Sequence, residues 1–144
     1  MDKILTIVIA AYNVEKYIEQ TLSSCVLKEE YRDLYEVIIV NDGSKDCTKN
    51  IAQSYVERYD NCFKLIDKEN GGYGSAINAG IAAAQGKYVK LLDGDDWFDC
   101  GGLMIFLEKL QKVDCDMVMT DYNRINIIGG GYVFAVMRCI RILL

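Results

Sequence analysis

Tyr88-Val89-Lys90-Leu91-Leu92-Asp93-Gly94-Asp95-Asp96-Trp97 is the stretch on which the fold turns. Its first five residues are mostly apolar and read as a buried strand. The strand ends abruptly in three carboxylates within four positions, Asp93, Asp95 and Asp96. Carboxylates packed on one loop repel one another unless a cation or hydrogen-bond donors neutralise them. Two meanings are open for such a loop. It is either a solvated acidic turn, for which Asp and Gly are ordinary residues, or a site for a hard divalent cation with oxygen ligands.

Outward from this stretch, strands and helices alternate. Ile4–Ala10 is almost continuously apolar and β-branched, the pattern of a central strand buried on both faces. Ala11-Tyr12-Asn13 breaks it, with Asn13 placed to cap a helix from Glu15 to about Leu27. Glu36–Val40 is a second strand, ending in the turn Asn41-Asp42-Gly43-Ser44. Ile51, Ala52, Tyr55, Val56 and Tyr59 mark a second helix, and Phe63–Ile66 a short strand. Asp67–Gly74 is a Gly-rich loop. Ser75 is placed to cap a third helix, with Gly86 as its closing glycine. After Tyr88–Leu92 come a fourth helix around Leu103–Leu110 and a fifth strand, Asp116–Thr120. This alternation predicts an α/β domain with a mostly parallel, Rossmann-like sheet flanked by helices. Beyond residue 123 both periodicities blur. The stretch 124–144 reads as a strand, a short interfacial helix carrying Arg138 and Arg141, or an unsupported end, and the fold is expected to be truncated after the fifth strand. Residues 1–123 are the expected domain.

The formal charge of −5 argues against a nucleic-acid backbone as partner, because phosphate contacts need clustered Lys and Arg. The chain has no His, so triads, bases and metal ligands built on imidazole are excluded together. Six cysteines form no C-x-x-C pair and read as reduced thiols of a cytoplasmic protein, Cys47 and Cys62 as small core residues. No apolar run reaches the ~18 residues of a membrane span.

In an open parallel sheet, ligands bind beyond the carboxyl ends of the strands. Ala11-Tyr12-Asn13, Asn41–Ser44, Asp93–Asp96 and Thr120-Asp121 all fall there, a combination suited to a metal–diphosphate. Asp95 with Asp93 or Asp96 would hold the ion. Asp42 would accept from base or ribose donors, and Tyr12 is either a stacking platform or a core aromatic.

The segments TIVIAAYN (Thr6–Asn13), EVIIVNDGSKDCT (Glu36–Thr48) and ENGGYGSAINAGIAAAQGKYVKLLDGDDWF (Glu69–Phe98), in that order, resemble the family 2 glycosyltransferases of GT-A fold. The resemblance runs from about Ile4 to Asn123. It implies a nucleotide-sugar donor, usually a UDP-sugar, and a Mg²⁺ or Mn²⁺ cofactor. It implies that Ala11, Tyr12 and Asp42 hold the nucleoside, that Asp93 lies near the ribose, and that Asp95 is the main metal ligand with Asp96 following. Asn70, Gly72, Asn78 and Gly80 match a stretch that packs beside the nucleotide. The implied reaction is an inverting transfer to the hydroxyl of an acceptor: a glycan, a lipid-linked glycan or a cell-envelope polymer. That acceptor brings with it an expectation of peripheral association with the inner face of a membrane.

Three departures stand out. Ala76-Ile77-Asn78 stands where many members have Ala-Arg-Asn, and Cys100-Gly101 where many have a Pro. Nothing after Asn123 resembles the acceptor-binding half with its general base, and Asp121 suits a structural cap or a sugar-hydroxyl contact better than that role. The alternative is therefore a catalytically incomplete nucleotide-sugar-binding fragment. A phosphoryl-transfer enzyme with an aspartyl nucleophile also suits Asp-rich strand ends, but not the order of the three motifs.

Overall fold

In a computed structural model the alternating pattern becomes one sheet with helices on both faces. The structure describes residues 2–99, 101–125 and 132–141. The glycines at 129–131, the apolar end at 142–144 and Cys100 lie outside the described residues. The elements run β1 (Leu5–Ala11), α1 (Ile18–Ser24), β2 (Tyr35–Asp42), α2 (Thr48–Arg58), β3 (Phe63–Lys68), α3 (Tyr73–Ala83), β4 (Tyr88–Asp93), α4 (Gly102–Leu110), β5 (Met117–Ile125) and β6 (Tyr132–Arg141). Strand order across the sheet is β3-β2-β1-β4-β6-β5. The first four are parallel, with Ile7 in register with both Val37 and Lys90.

The α/β class and the mostly parallel sheet agree with the sequence pattern. The expected end at the fifth strand is corrected: β6 lies antiparallel between β4 and β5. It pairs with β5 from Met117↔Ile140 to Ile125↔Tyr132 and with β4 from Tyr88↔Arg141 to Lys90↔Cys139. This placement covers the edge of β4, which would otherwise leave a row of backbone groups unpaired.

Alternation along the central strands divides the core. Leu5, Ile7, Ile9 and Ala11 of β1 face α1, α2 and α4, against Ile18, Leu22, Ala52, Leu103 and Leu107. Val8 of β1 with Ile38 and Val40 of β2 faces α3, against Ala76 and Ile77. A Cβ on Gly80 would collide with Val8 Cγ1, so this glycine lets α3 lie flat on the sheet. Ile77 therefore belongs to the core.

Several helix ends differ from expectation because tertiary contacts set them. Asn13 does not cap α1. It has φ +51° and its Oδ1 accepts from Lys45 N–H at 2.8 Å, while its own N–H donates to Ser44 Oγ at 3.1 Å. The chain then turns through Val14–Tyr17, with Val14 N–H donating to Thr48 Oγ1 and Glu15 N–H to Asp46 Oδ2. These bonds delay α1 to Ile18. Helix α3 starts at Tyr73, ahead of Ser75, because Gly72 at φ +85° redirects the chain. It ends at Ala84 in an extended conformation, and Gly86 instead packs against the Leu5–Thr6 backbone. Cys62 is buried as expected, but Cys47 is exposed in the loop before α2.

Candidate functional site

β1 has β2 on one side and β4 on the other, so the chain's winding reverses there. In open α/β sheets that reversal leaves a crevice at the carboxyl ends of the strands. A pocket of about 320 Å³ occupies it. Ala10, Ala11 and Tyr12 at the end of β1 and Asp42 at the end of β2 form its floor and one side. Asn70, Gly72, Tyr73 and Ala76, entering α3, form the other.

Asp42 is the best-anchored group in the pocket, 2 % exposed. Its Oδ1 accepts from the Lys68 ammonium and from Gly71 N–H, each at 2.9 Å, and its Oδ2 from Gly72 N–H at 2.9 Å. The Lys68 ammonium, aided by both glycine N–H groups and opposed by burial, holds the carboxyl below the usual carboxylate range. Asn70 Nδ2 donates to the Asp42 carbonyl at 3.0 Å. One side chain thus fixes the turn after β2 and the Gly-rich loop as a unit. Two backbone donors that lead into α3 are already turned toward Asp42.

Tyr12 is 47 % exposed and lines the pocket, so of its two candidate roles the core one is removed. Ala11 is buried beneath it. Asn78 is exposed on α3 and is not among the pocket's lining residues.

Asp93, the last residue of β4, accepts from the Tyr73 hydroxyl at 2.9 Å on Oδ1. Asp93, Asp95 and Asp96 are exposed on one tight turn, closed by Asp96 N–H donating to the Asp93 carbonyl at 3.0 Å. Burial, then the Asp93 and Asp95 carboxylates, push the Asp96 carboxyl above the ordinary range, and the Lys90 ammonium opposes them. Lys90, in β4 itself, is 1 % exposed. Among the described residues no three His, Cys, Asp or Glu side chains form a ready cage for a metal ion. The donor set nonetheless fits a hard cation such as Mg²⁺ or Mn²⁺: mutually repelling carboxylate oxygens, at a crevice where a ligand's own oxygens would complete the coordination sphere.

Three contributors escaped sequence reasoning. Lys68 and Tyr73 lie in the Gly-rich loop Asp67–Gly74, but nothing in it singles out their side chains, and Thr21 sits on a helix face that reads only as core. Thr21 Oγ1 donates to the Gly94 carbonyl at 2.9 Å, and Gly94 N–H to the Ala10 carbonyl at 3.2 Å, which suspends the acidic turn between α1 and β1.

The model of the glycosyl transferase family 2 matches residues 6–138. The chain belongs to glycosyl transferase family 2. Within the family it is 34 % identical over 132 residues to the uncharacterized glycosyltransferase EpsJ of Bacillus subtilis, spanning 92 % of this chain and 35 % of EpsJ. It is 29 % identical over 137 residues to the glycosyltransferase GlyA of Streptococcus pneumoniae, spanning 95 % of this chain and 19 % of GlyA. This family 2 chain therefore covers about a third or less of the length of these curated relatives. Among solved structures, S. aureus TarS 1-349 in complex with UDP-GlcNAc superposes with a TM-score of 0.70 at 27 % identity, over 79 % of this chain and 33 % of that one. The mannosyltransferase PcManGT of Pyrobaculum calidifontis, solved with GDP-Man and Mn²⁺, superposes with a TM-score of 0.69 at 21 % identity, over 83 % of this chain and 35 % of that one, a likeness of fold alone. The sheet and its flanking helices are those of a GT-A glycosyltransferase.

Proposed function

We propose that this chain is the donor-binding part of an inverting glycosyltransferase that takes a UDP-sugar with Mg²⁺ or Mn²⁺ and transfers the sugar to an acceptor hydroxyl. The observation that carries the proposal is a pocket lined by an exposed aromatic (Tyr12) and an anchored acceptor (Asp42), whose wall residue Tyr73 is hydrogen-bonded to Asp93, the first carboxylate of the turn that also holds Asp95 and Asp96. Tyr12 offers a ring face to a base. Asp42 keeps one acceptor position on Oδ2 not used by Lys68, Gly71 and Gly72, for a base N–H or a ribose hydroxyl. Asp93 lies between the nucleoside pocket and the turn, next to the ribose. Asp95 and Asp93, with Asp96 beside them, are the residues that would hold the ion. When bound, a divalent cation neutralises the diphosphate that departs as the glycosidic bond breaks.

Calorimetric titration of UDP in Mn²⁺ tests this. Asp95→Ala is expected to reduce UDP affinity to its metal-free level, and unchanged affinity in the variant with Mn²⁺ present would sink the assignment. A second reading is that these 144 residues by themselves bind the donor without turning it over. A panel of UDP-sugars assayed for hydrolysis and transfer separates the two, since turnover refutes the second. Acceptors on lipids or envelope polymers, and with them a cytoplasmic place at the inner membrane face, belong to the same proposal. No helix among the described residues is long and apolar enough to cross a membrane.

A further inference from the structure

Tyr73 lies within the Glu69–Phe98 segment, but nothing in that segment's sequence marks its side chain, which joins α3 to the carboxylate that ends β4. α3 packs on β1 and β2, while Asp93 ends β4 on the far side of β1. The Tyr73 hydroxyl nevertheless donates to Asp93 Oδ1 at 2.9 Å, so the side chain spans the pocket above the end of β1. The residue is 57 % exposed, too open to be explained by core packing. The residue before it, Gly72, has φ +85° and its N–H bonded to Asp42 Oδ2. The backbone that launches Tyr73 is thus held by the carboxylate at the end of β2, and its hydroxyl by the carboxylate at the end of β4. The adjacent residues Gly72 and Tyr73 thus connect the two acidic ends of the crevice, Gly72 by its N–H to Asp42 and Tyr73 by its hydroxyl to Asp93.

A phenol donating to one oxygen of a carboxylate restrains the rotation of that carboxylate and leaves the other oxygen facing outward. Groups of this kind, one bond removed from an ion, set the orientation and basicity of the oxygen that meets it. We propose that Tyr73 is a positioning residue of the donor site: by holding Asp93 Oδ1 it presents Asp93 Oδ2 to the ion and ribose. The inference rests on the donor-site reading above. It goes beyond that reading by placing the selectivity for the metal-loaded donor partly on a residue outside the acidic motif. The ring would at the same time form the pocket wall opposite Tyr12, so the hydroxyl and the ring have separable roles.

The test is calorimetric titration of the full chain with UDP, with Mn²⁺ and with EDTA, for wild type, Tyr73→Phe, Asp93→Asn and the double variant. Tyr73→Phe keeps the ring and loses only the donor. It is expected to weaken UDP binding in Mn²⁺ by about tenfold while leaving affinity in EDTA within about twofold and the melting temperature unchanged. In the Asp93→Asn background, Tyr73→Phe is expected to cause no further loss, because its effect acts through that carboxylate. A Tyr73→Phe variant that binds UDP–Mn²⁺ like wild type overturns the inference and leaves the donor-site reading standing. So does an equal loss with and without metal, the mark of a merely structural role. Failure of the wild type to bind UDP in Mn²⁺ overturns the donor-site reading itself, and the inference with it.

Discussion

At the residue scale, Asp42 and Gly43 show what an Asp-Gly turn does once the chain is folded. Asp42 is fully engaged on its protein side by Lys68, Gly71 and Gly72. Gly43 sits at φ +71°, and a Cβ there would lie 2.7 Å from Asn70 N. Both the backbone conformation and the space exclude a side chain. Gly43→Ala is therefore expected to destabilise the fold by about 1–3 kcal/mol, measured by urea denaturation, and to loosen the Gly71–Gly72 amides in hydrogen exchange. A variant as stable as wild type would show that the Asn70 loop can move aside at little cost. The turn itself was legible, because Asn-Asp-Gly-Ser after an apolar run is breaker chemistry. The company it keeps was not: Lys68 and Asn70 meet it only because β3 lies beside β2, and a strand order is not written in local periodicity.

The same divide runs through the elements. Strand and helix existence followed from apolar periodicity, while the ends of α1 and α3 were set by partners from other loops. Asn13 illustrates this: its sequence context suits a helix cap, but the side chain is claimed by Lys45 N–H across the crevice rim. The acidic turn is likewise an element held from outside. Thr21 of α1, fully buried, donates to the Gly94 carbonyl, and Ser24 Oγ accepts from Phe98 N–H at 3.1 Å. α1 is thus a brace for the turn as well as a core helix. Thr21→Val keeps the volume and removes the donor, leaving a buried carbonyl without that partner. The expected cost is about 1–3 kcal/mol in chemical denaturation, together with weaker UDP binding in Mn²⁺ than in wild type. Loss of stability with undiminished metal-dependent binding would mean that the turn keeps its shape without its brace.

Across the whole molecule, the two ends of the parallel sheet do different work. The carboxyl ends carry the crevice; the amino ends carry a buried polar cluster around Glu36, which is 0 % exposed. Glu36 Oε1 accepts from Thr6 Oγ1 and Gln85 N–H, each at 2.7 Å, and Oε2 accepts from the Lys64 ammonium at 2.8 Å. Thr6 Oγ1 in turn accepts from Gly86 N–H at 2.8 Å, so the cluster joins β1, β2, β3 and the segment after α3. Sequence reading treated Thr6 and Glu36 as ordinary strand positions, because two polar residues on different strands reveal their pairing only through register, Thr6↔Glu36. Burial pushes the Glu36 carboxyl up, but Lys64, Thr6 and Gln85 N–H outweigh it and hold it below the usual range. A carboxyl whose folded pKa lies below its unfolded value of about 4.3 releases its proton more readily in the native state. Its stabilisation is therefore complete above that unfolded value and is lost as pH falls through the folded pKa. Glu36→Gln cannot titrate and places an amide donor among existing donors, so it is expected to be less stable than wild type at neutral pH. As the medium is acidified below about 4.3, wild type loses its advantage and the gap between the two denaturation midpoints narrows. Because the cluster lies at the opposite end of the strands from the crevice, UDP affinity at neutral pH is expected to match wild type under conditions where both are folded. A gap that stays constant or widens from pH 7 to pH 3 would show that Glu36 does not carry this linkage, and altered UDP affinity would show that the two ends of the sheet are coupled.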